Sequence, residues 1–327
     1  MNDSHWSVQK EAAAGYWNVK LMLILFRLLP IMLLRLLAFP VGFFYFLFSK
    51  KARNHSIDYL RHITDVQKTT AQDTQNGGGQ KKLSSLVHIV SFALALVEKV
   101  EAWGGKVSSK RVIYNDDDID DLTDKLEKGE GVILISSHLG NMEFIRALAE
   151  QNRTKVSREI PVNAIVDFTV TAHFTRMLKE LNPHSTTRLL HAAEMGADTV
   201  MLLQDRLAAG EMVVIAGDRT AAGPESRYLS LPFLGENAPF PYGPFFLAAL
   251  LNVPVYLVFA VRENDLSLKS RYSMFIHKCS LSFDCPRRER EQRIKDLMLW
   301  FVSYLEQYCQ RYPYQWYNFF DFWKEIN

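Results

Sequence analysis

Downstream of about residue 107, the chain alternates short apolar runs with stretches of helical periodicity. The apolar runs are GVILISS (131–137), PVNAIVD (161–167), TRLLH (187–191), EMVVIAGD (211–218), PVYLVFAV (254–261) and RYSMFIHKC (271–279). Helical patterns lie between them at NMEFIRALAEQ (141–151), TAHFTRMLKEL (171–181), ADTVMLLQDRLAAG (197–210) and GPFFLAALLN (243–252). Because strands that alternate with helices pair in parallel, the pattern predicts an α/β fold with a mostly parallel central sheet flanked by helices.

A long apolar stretch covers residues 21–48, in which Arg27 and Arg35 are the only charged residues. It exceeds the roughly 20 residues that a helix needs to cross a hydrocarbon core of about 30 Å. It is too long for a signal peptide, and no cleavage site of small residues follows. The stretch therefore predicts an N-terminal membrane-associated helical segment.

Three arrangements of this segment are compatible with its residues. One is a spanning helix with its arginines near the edges or with bends at Pro30 and Pro40; another is a broken helical hairpin in the interface, with arginines on lipid phosphates. The third is a buried pair of helices in a soluble protein. The length favours membrane association. Lys50, Lys51 and Arg53 follow, and such basic residues place the downstream chain in the cytoplasm.

The composition along the chain predicts three regions. Residues 1–63 form a membrane-anchoring helical region, 64–82 a flexible linker and 83–327 an α/β domain that opens on a helix over 83–103. The linker is expected because the stretch is polar, contains three consecutive glycines and lacks periodicity.

A last long helix is predicted over 287–311, and basic residues crowd its first turns: Arg287, Arg288, Arg290, Arg293 and Lys295. Cations at a helix start oppose the helix dipole. A solvated face is the simpler interpretation of the cluster. The functional interpretation is contact with lipid phosphates or with an acidic carrier protein.

Charge and motif content exclude several classes of function. The net charge of +2 does not suit a protein that binds nucleic acid by bulk charge. Cys279, Cys285 and Cys309 are an odd number without metal-ligand spacing, so reduced thiols are expected. The chain contains no H-E-x-x-H, G-x-S-x-G, P-loop or G-x-G-x-x-G motif. We therefore predict no metal and no cofactor.

The stretch ISSHLGNMEF (135–144) places His138 after an apolar strand and Glu143 on the helical turn beyond it. Gly140 and Asn141 suit a tight turn and a helix cap. Residues five apart on a regular helix do not face each other, so the pair needs this strand–turn–helix arrangement. Glu143 would then fix the tautomer of His138, whose other nitrogen could accept a proton from a hydroxyl. The alternative is a core histidine without a chemical role.

Two further stretches bear on the site. The strand in VVIAGDRTAAG (213–223) delivers Gly217, Asp218 and Arg219 to its carboxyl end, where ligands of α/β sheets bind. The acid and base could form a structural ion pair or could organise the phosphate or hydroxyls of an acceptor. In the stretch 231–259, Gly and Pro predict turns, and the aromatic residues either line a groove for an acyl chain or pack in the core.

Four motifs in this order resemble the lysophospholipid acyltransferase-like superfamily, in particular the bacterial late (lauroyl/myristoyl) acyltransferases of lipid A biosynthesis. SSHLGNMEF (136–144) resembles the H-x-G-N-x-E form of the H-x4-D/E motif, although Met142 stands where that branch often has Trp. GDRT (217–220) resembles the second block and PFLGENAPFPYGP (232–244) the segment that follows it. YPYQWYNFFDFW (312–323) is similar to the terminal P-x-Q-W stretch.

The resemblance implies an acyltransferase at the cytoplasmic face of the inner membrane. It would move a fatty acyl group from acyl carrier protein to a hydroxyl of a lipid A-like or aryl polyene-type lipid, without metal, cofactor or nucleic acid. By motif position, His138 is the general base and Glu143 its partner. The residues implied to bind substrate are Asn141, Gly217, Asp218, Arg219 and Gly243.

Two other functions agree with the same sequence. A non-catalytic membrane-bound protein could use the groove to hold or present a lipid. An acyl thioesterase would use water as the acceptor and release free fatty acid.

Overall fold

The structure is a computed structural model, and it describes residues 24–26, 28–73, 82–104, 109–115, 118–145, 156–167, 187–220 and 227–324. Its helices are α1 (Ile31–Phe48), α2 (Lys50–Asp73), α3 (Ser85–Trp103), α4 (Asp118–Glu127), α5 (Ala197–Ala208), α6 (Gly243–Leu251) and α7 (Arg287–Arg311). Its strands are β1 (Val112–Tyr114), β2 (Val132–Ser136), β3 (Val162–Val166), β4 (Arg188–His191), β5 (Met212–Ala216), β6 (Tyr228–Phe233), β7 (Glu236–Pro241), β8 (Val255–Arg262) and β9 (Tyr272–Lys278).

Seven strands form one sheet in the order β1-β9-β8-β2-β5-β3-β4. All neighbours in this sheet pair in parallel except β8 and β9, which are antiparallel. The predicted α/β fold with a mostly parallel central sheet is therefore confirmed. The register pairs Ser136 with Ala216, so the carboxyl ends of β2 and β5 lie side by side. This pairing positions the functional site.

The central strands are buried on both faces, as their near-continuous apolar sequence predicts. Every residue of β2 and of β8 is buried. Side chains alternate between the two faces of β2. Ile133 and Ile135 join the core built with α6, α7 and the β6–β7 hairpin, whereas Val132 and Leu134 join the core built with α4.

The segment 228–241 forms an antiparallel hairpin of β6 and β7, so the expected turn at Gly235 is present but the strands on either side of it were not predicted. Leu234 and Gly235 form its tip, both with left-handed φ angles of 52° and 86°. Prolines are tolerated here because a two-stranded ribbon leaves half of its backbone N–H positions without a ladder partner. The rings of Phe233 and Phe240 are fully buried, so these two aromatics pack in the core.

Helix α1 packs one face against α3 and leaves the other exposed. Leu34, Ala38 and Gly42 are buried, and a Cβ on Gly42 would lie 3.0 Å from Val90 Cα, so the two helices approach closely. The outer face exposes Met32, Leu33, Leu36, Leu37, Val41, Phe43, Phe44, Leu47 and Phe48. Among the described residues, α1 is the one helix long and apolar enough to cross a membrane, by length and composition only. A single such helix is a weak indication of membrane association.

Arg35 of α1 lies inside the protein. Its guanidinium donates to the Leu268 carbonyl at 2.6 Å and ion-pairs with Glu101 of α3. The buried position of Arg35 differs from the position expected in both membrane arrangements above, which placed the arginines at helix edges or on lipid phosphates. The carboxylate on α3 compensates a charge that would be costly to bury alone. Arg27 lies outside the described residues.

The predicted flexible linker over 64–82 begins too early, because α2 continues to Asp73. Residues 64–73 contain no Gly or Pro to end a helix. They are also anchored, since Val66 packs against the core and Gln67 Nε2 donates to the Gln310 carbonyl at 3.3 Å. The glycine-rich residues 74–81 lie outside the described residues, and the division into domains stays a prediction.

The remaining predicted helices are described to different extents. The helix predicted over 287–311 has the same bounds as α7. Of the helix predicted over 141–151, residues 143–145 are helical and 146–151 lie outside the described residues. The helix predicted over 171–181 also lies outside them.

Candidate active site

His138 lies in the turn that follows β2, and its side chain is 26% exposed. The turn depends on Gly140, which has a φ of 72° and on which a Cβ would lie 2.0 Å from the Ala260 carbonyl oxygen. Gly140 N–H donates to the Gln315 carbonyl at 2.8 Å, and Asn141 N–H donates to the Ala260 carbonyl at 2.8 Å. The loop is therefore fixed between β8 and the C-terminal segment.

Asp218 follows β5 and is the carboxylate that holds the imidazole. Its side chain is fully buried and accepts three hydrogen bonds. Oδ1 accepts from His138 Nδ1 at 2.8 Å, and Oδ2 accepts from the His138 backbone N–H and from Trp316 Nε1, each at 2.9 Å. Because an ionised carboxylate only accepts, the hydrogen-bond network assigns the imidazole proton to Nδ1. The lone pair then lies on Nε2, to which no described residue donates a hydrogen bond.

Glu143 does not take the position that the H-x4-E spacing assigns to it. The Nδ1 hydrogen bond of His138 goes to Asp218, while the backbone N–H of Glu143 donates to Asn141 Oδ1 at 3.2 Å. Asn141 is buried and caps this helical turn. The physical reason is sheet topology, because parallel pairing of β2 and β5 brings Asp218 to the same edge as His138. A catalytic role for Glu143 stays a prediction.

The electrostatic surroundings keep the imidazole neutral and the carboxylate ionised at neutral pH. Burial, and after it the nearby Arg219 guanidinium, lowers the pKa of His138 to about 4 against the opposing effect of Asp218. Burial alone would raise the pKa of Asp218, but the charge and hydrogen bonds of His138, together with Arg219, bring it to about 2. A neutral ring with a free lone pair is the form that a general base requires.

Arg219 binds the C-terminal segment through its guanidinium. Its Nε donates to Asn318 Oδ1 at 2.8 Å and its Nη2 donates to the Tyr317 carbonyl at 2.9 Å. The guanidinium carbon also lies 5.7 Å from the centre of the Phe320 ring. Arg219 thus connects β5 to the C-terminal segment beside the site. Its role in binding substrate stays a prediction.

The C-terminal segment, residues 312–324, completes the site. Gln315 Oε1 accepts from the Arg262 N–H at 2.7 Å, and its Nε2 donates to the Arg262 carbonyl and to Asp265 Oδ1, each at 2.8 Å. Tyr317 N–H donates to the His138 carbonyl at 3.2 Å. The sequence marked this stretch only through its P-x-Q-W pattern, and no spacing signal linked it to His138.

The two glycines predicted to bind substrate differ in their surroundings. A Cβ on Gly217 would lie 2.9 Å from Phe245 Cζ and 3.2 Å from Phe301 Cζ, so Gly217 allows close packing under Asp218. Gly243 begins α6, and among the described residues no heavy atom beyond its chain neighbours and the backbone of its own helix lies within 4 Å of a Cβ built there. Its role in binding substrate stays a prediction.

Within the described residues, no group of three or more His, Cys, Asp or Glu side chains could hold a metal ion. A neutral imidazole oriented by a buried carboxylate can take a proton from a hydroxyl or from water.

Fold and site together define an α/β protein with a carboxylate-held histidine at the carboxyl ends of its central strands. A family model described as bacterial lipid A biosynthesis acyltransferase matches residues 82–325, most of the chain. The chain belongs to this family, which confirms the resemblance drawn from the four motifs. It is accordingly an acyltransferase that acts on a lipid-like acceptor. The search of curated proteins gave no match.

Proposed function

We propose that the protein transfers a fatty acyl group from an acyl-carrier-protein thioester to a hydroxyl of a membrane lipid, with His138 as general base. The observation that carries this proposal is the imidazole itself. Its Nδ1 is hydrogen-bonded to buried Asp218 at 2.8 Å, and its Nε2 is free among the described residues. An acceptor hydroxyl placed at Nε2 would meet a neutral base of fixed tautomer.

The reaction needs one proton transfer in each direction. Nε2 takes the proton of the acceptor hydroxyl while its oxygen attacks the thioester carbonyl, and a C–O bond forms. The tetrahedral intermediate then collapses, the C–S bond breaks, and the leaving thiolate receives the proton from the imidazolium. Ionised Asp218 stabilises the imidazolium between these steps, as carboxylates do in histidine-based acyl transfer.

The basic start of α7 supports an acidic carrier protein as the donor. Arg287, Arg288 and Lys295 are exposed there, and Arg290 and Arg293 are partly exposed. A cluster of exposed cations attracts an acidic partner and speeds its association.

The exposed apolar face of α1 supports attachment to the inner membrane. Because the opposite face packs on α3, we propose that α1 lies in the interface with Leu36, Phe44 and Phe48 toward the acyl chains. Lys50 and Lys51, which are exposed at the start of α2, favour the cytoplasmic side. Arg53 instead donates to the Phe46 carbonyl at 2.7 Å and so caps the end of α1.

A reconstituted reaction tests the proposal. The full chain in vesicles of bacterial phospholipid is incubated with radiolabelled acyl carrier protein thioester and a lipid extract containing lipid A precursors or aryl polyene lipids. We expect an acylated lipid, and a loss of roughly 100-fold or more with His138→Ala. His277→Ala is the matched control, because that ring hydrogen-bonds to Tyr308 at 2.7 Å, away from Asp218.

The other functions give different results in the same assay. Free fatty acid that forms without an acceptor identifies a thioesterase. Lipid binding without any thioester turnover identifies a lipid-presenting protein. Near-normal turnover by His138→Ala would contradict the role of His138.

A further inference from the structure

The indole of Trp316 is buried completely and points its single donor at the active site. Its Nε1–H donates to Asp218 Oδ2 at 2.9 Å, the same oxygen that accepts the His138 backbone N–H. Since Asp218 also holds His138 Nδ1, a continuous chain of hydrogen bonds runs from Trp316 through Asp218 to the imidazole.

We propose that Trp316 is a positioning residue, which fixes the orientation and basicity of His138 through Asp218. The inference rests on the proposed function of His138 as the base. It gives the tryptophan of the terminal P-x-Q-W stretch a defined task in the reaction.

The aromatic surroundings of Trp316 prevent its donor from turning away. The ring centroid lies 5.1 Å from that of Tyr59 on α2, 5.2 Å from that of Phe233 on β6 and 4.7 Å from that of Phe322. His88 Nε2 on α3 also donates to the Trp316 carbonyl at 3.0 Å. Contacts from α2, α3, β6 and the C-terminal segment thus fix the direction of the N–H bond before any substrate binds, which is the condition for preorganised catalysis.

The Trp316 N–H also affects how much negative charge the Asp218 carboxylate presents to the imidazole. A hydrogen bond to Oδ2 stabilises the ionised carboxylate and draws electron density from it. Without this donor, Asp218 would present more negative charge to His138 Nδ1, and the pKa of the imidazole would rise. The carboxylate would also gain freedom to rotate, so the fraction of enzyme with Nε2 correctly aimed would fall.

The test is Trp316→Phe, which keeps the aromatic packing and removes the donor. Trp323→Phe is the matched control, because Trp323 belongs to the same aromatic cluster, 6.3 Å from Trp316, but its Nε1 donates to the Phe233 carbonyl at 3.1 Å. Two measurements are made on each variant: kcat and KM for acyl transfer, and the pH midpoint of diethyl pyrocarbonate modification of His138, read by mass spectrometry.

We expect Trp316→Phe to lose about tenfold in kcat with little change in KM, and the midpoint of His138 to rise by about 0.5 pH unit. Trp323→Phe should leave both quantities near those of the wild type. Equal effects of the two substitutions, or an unchanged midpoint in Trp316→Phe, would overturn the inference. The modification needs no substrate, so the midpoint decides the role of Trp316 even if the protein transfers no acyl group and the proposed function fails.

Discussion

Asp218 holds His138 at two points, the ring Nδ1 at 2.8 Å and the backbone N–H at 2.9 Å. A single carboxylate therefore fixes both the tautomer of the ring and the backbone from which it extends. The contact joins residues that are 80 positions apart in the sequence. It makes Asp218 the most informative position for mutation.

Asp218→Asn should lower kcat by about 1,000-fold with the fold retained. The amide group of asparagine would donate to Nδ1 and force the imidazole proton onto Nε2, where it blocks the base. The measurement is acyl transfer at saturating substrate, with circular dichroism to check folding. A variant that is folded and within a few fold of wild-type turnover would contradict this role.

Glu143→Gln, compared with Asp218→Asn, shows which of the two carboxylates is the partner of His138. Because Asp218 contacts Nδ1 directly, we expect Asp218→Asn to change the pH midpoint of His138 modification more than Glu143→Gln does. The midpoint is read by diethyl pyrocarbonate labelling, and wild-type protein is the reference. The opposite order would restore Glu143 as the partner of the imidazole.

The pH dependence of the reaction should reflect the lowered pKa of His138, which is about 4 rather than 6.5. Only the neutral ring can act as the base, so kcat/KM should hold through pH 5 to 6 and fall as the pH approaches about 4. Initial rates over this range, with enzyme stability checked by return to pH 7, give the midpoint. A midpoint near 6.5 would show an imidazole exposed to solvent.

Protein stability should fall over the same acidic range. Burial lowers the pKa of His88 to about 4, and that of His138 is lowered similarly, whereas both are near 6.5 in the unfolded chain. Between these values the unfolded chain binds more protons, so the free energy of unfolding decreases as the pH falls from 6.5 toward 4. Thermal unfolding measures the slope. His88→Asn should flatten it, and an unchanged slope would exclude His88 as a contributor.

Arg35→Ala should loosen α1 from α3, because it leaves Glu101 partly uncompensated and costs about 3 kcal/mol. Hydrogen exchange over residues 31–48 should increase. Leu36→Ala is the control, since Leu36 lies on the opposite, 53% exposed face of α1. It should leave exchange unchanged and weaken binding to phospholipid vesicles in a flotation assay. Equal exchange in the two variants would show that the Arg35 ion pair does not hold α1.

The local sequence pattern was sufficient to predict the parallel sheet and the helix over 287–311. Strands buried on both faces appear as continuous apolar runs, and a helix appears as apolar residues at three- and four-residue steps. The sequence also predicted that His138 and Asp218 lie at the ends of strands, since each follows an apolar run. Their pairing could not be predicted, because it depends on which strands are neighbours in the sheet.

The ion pair of Arg35 in the apolar segment could not be predicted either, because it joins residues that are distant in the sequence. An arginine among leucines indicates an edge or a phosphate contact when the sequence is read alone. Its partner Glu101 lies on α3, 66 positions later, and a buried ion pair leaves no local signature. The hairpin over 228–241 was missed for a related reason, since its prolines argue against strands unless the ribbon is known to be two-stranded.

The order of synthesis matters for the active site, because its supports come from the C-terminal segment. Gln315 hydrogen-bonds to the Arg262 backbone, Trp316 to Asp218, and Tyr317 to the His138 carbonyl. A nascent chain exposes α1 early in translation, yet the imidazole gains its full set of supports only after residues 315–318 emerge from the ribosome. In the proposed membrane arrangement, the polypeptide would thus reach the bilayer before it becomes competent for acyl transfer.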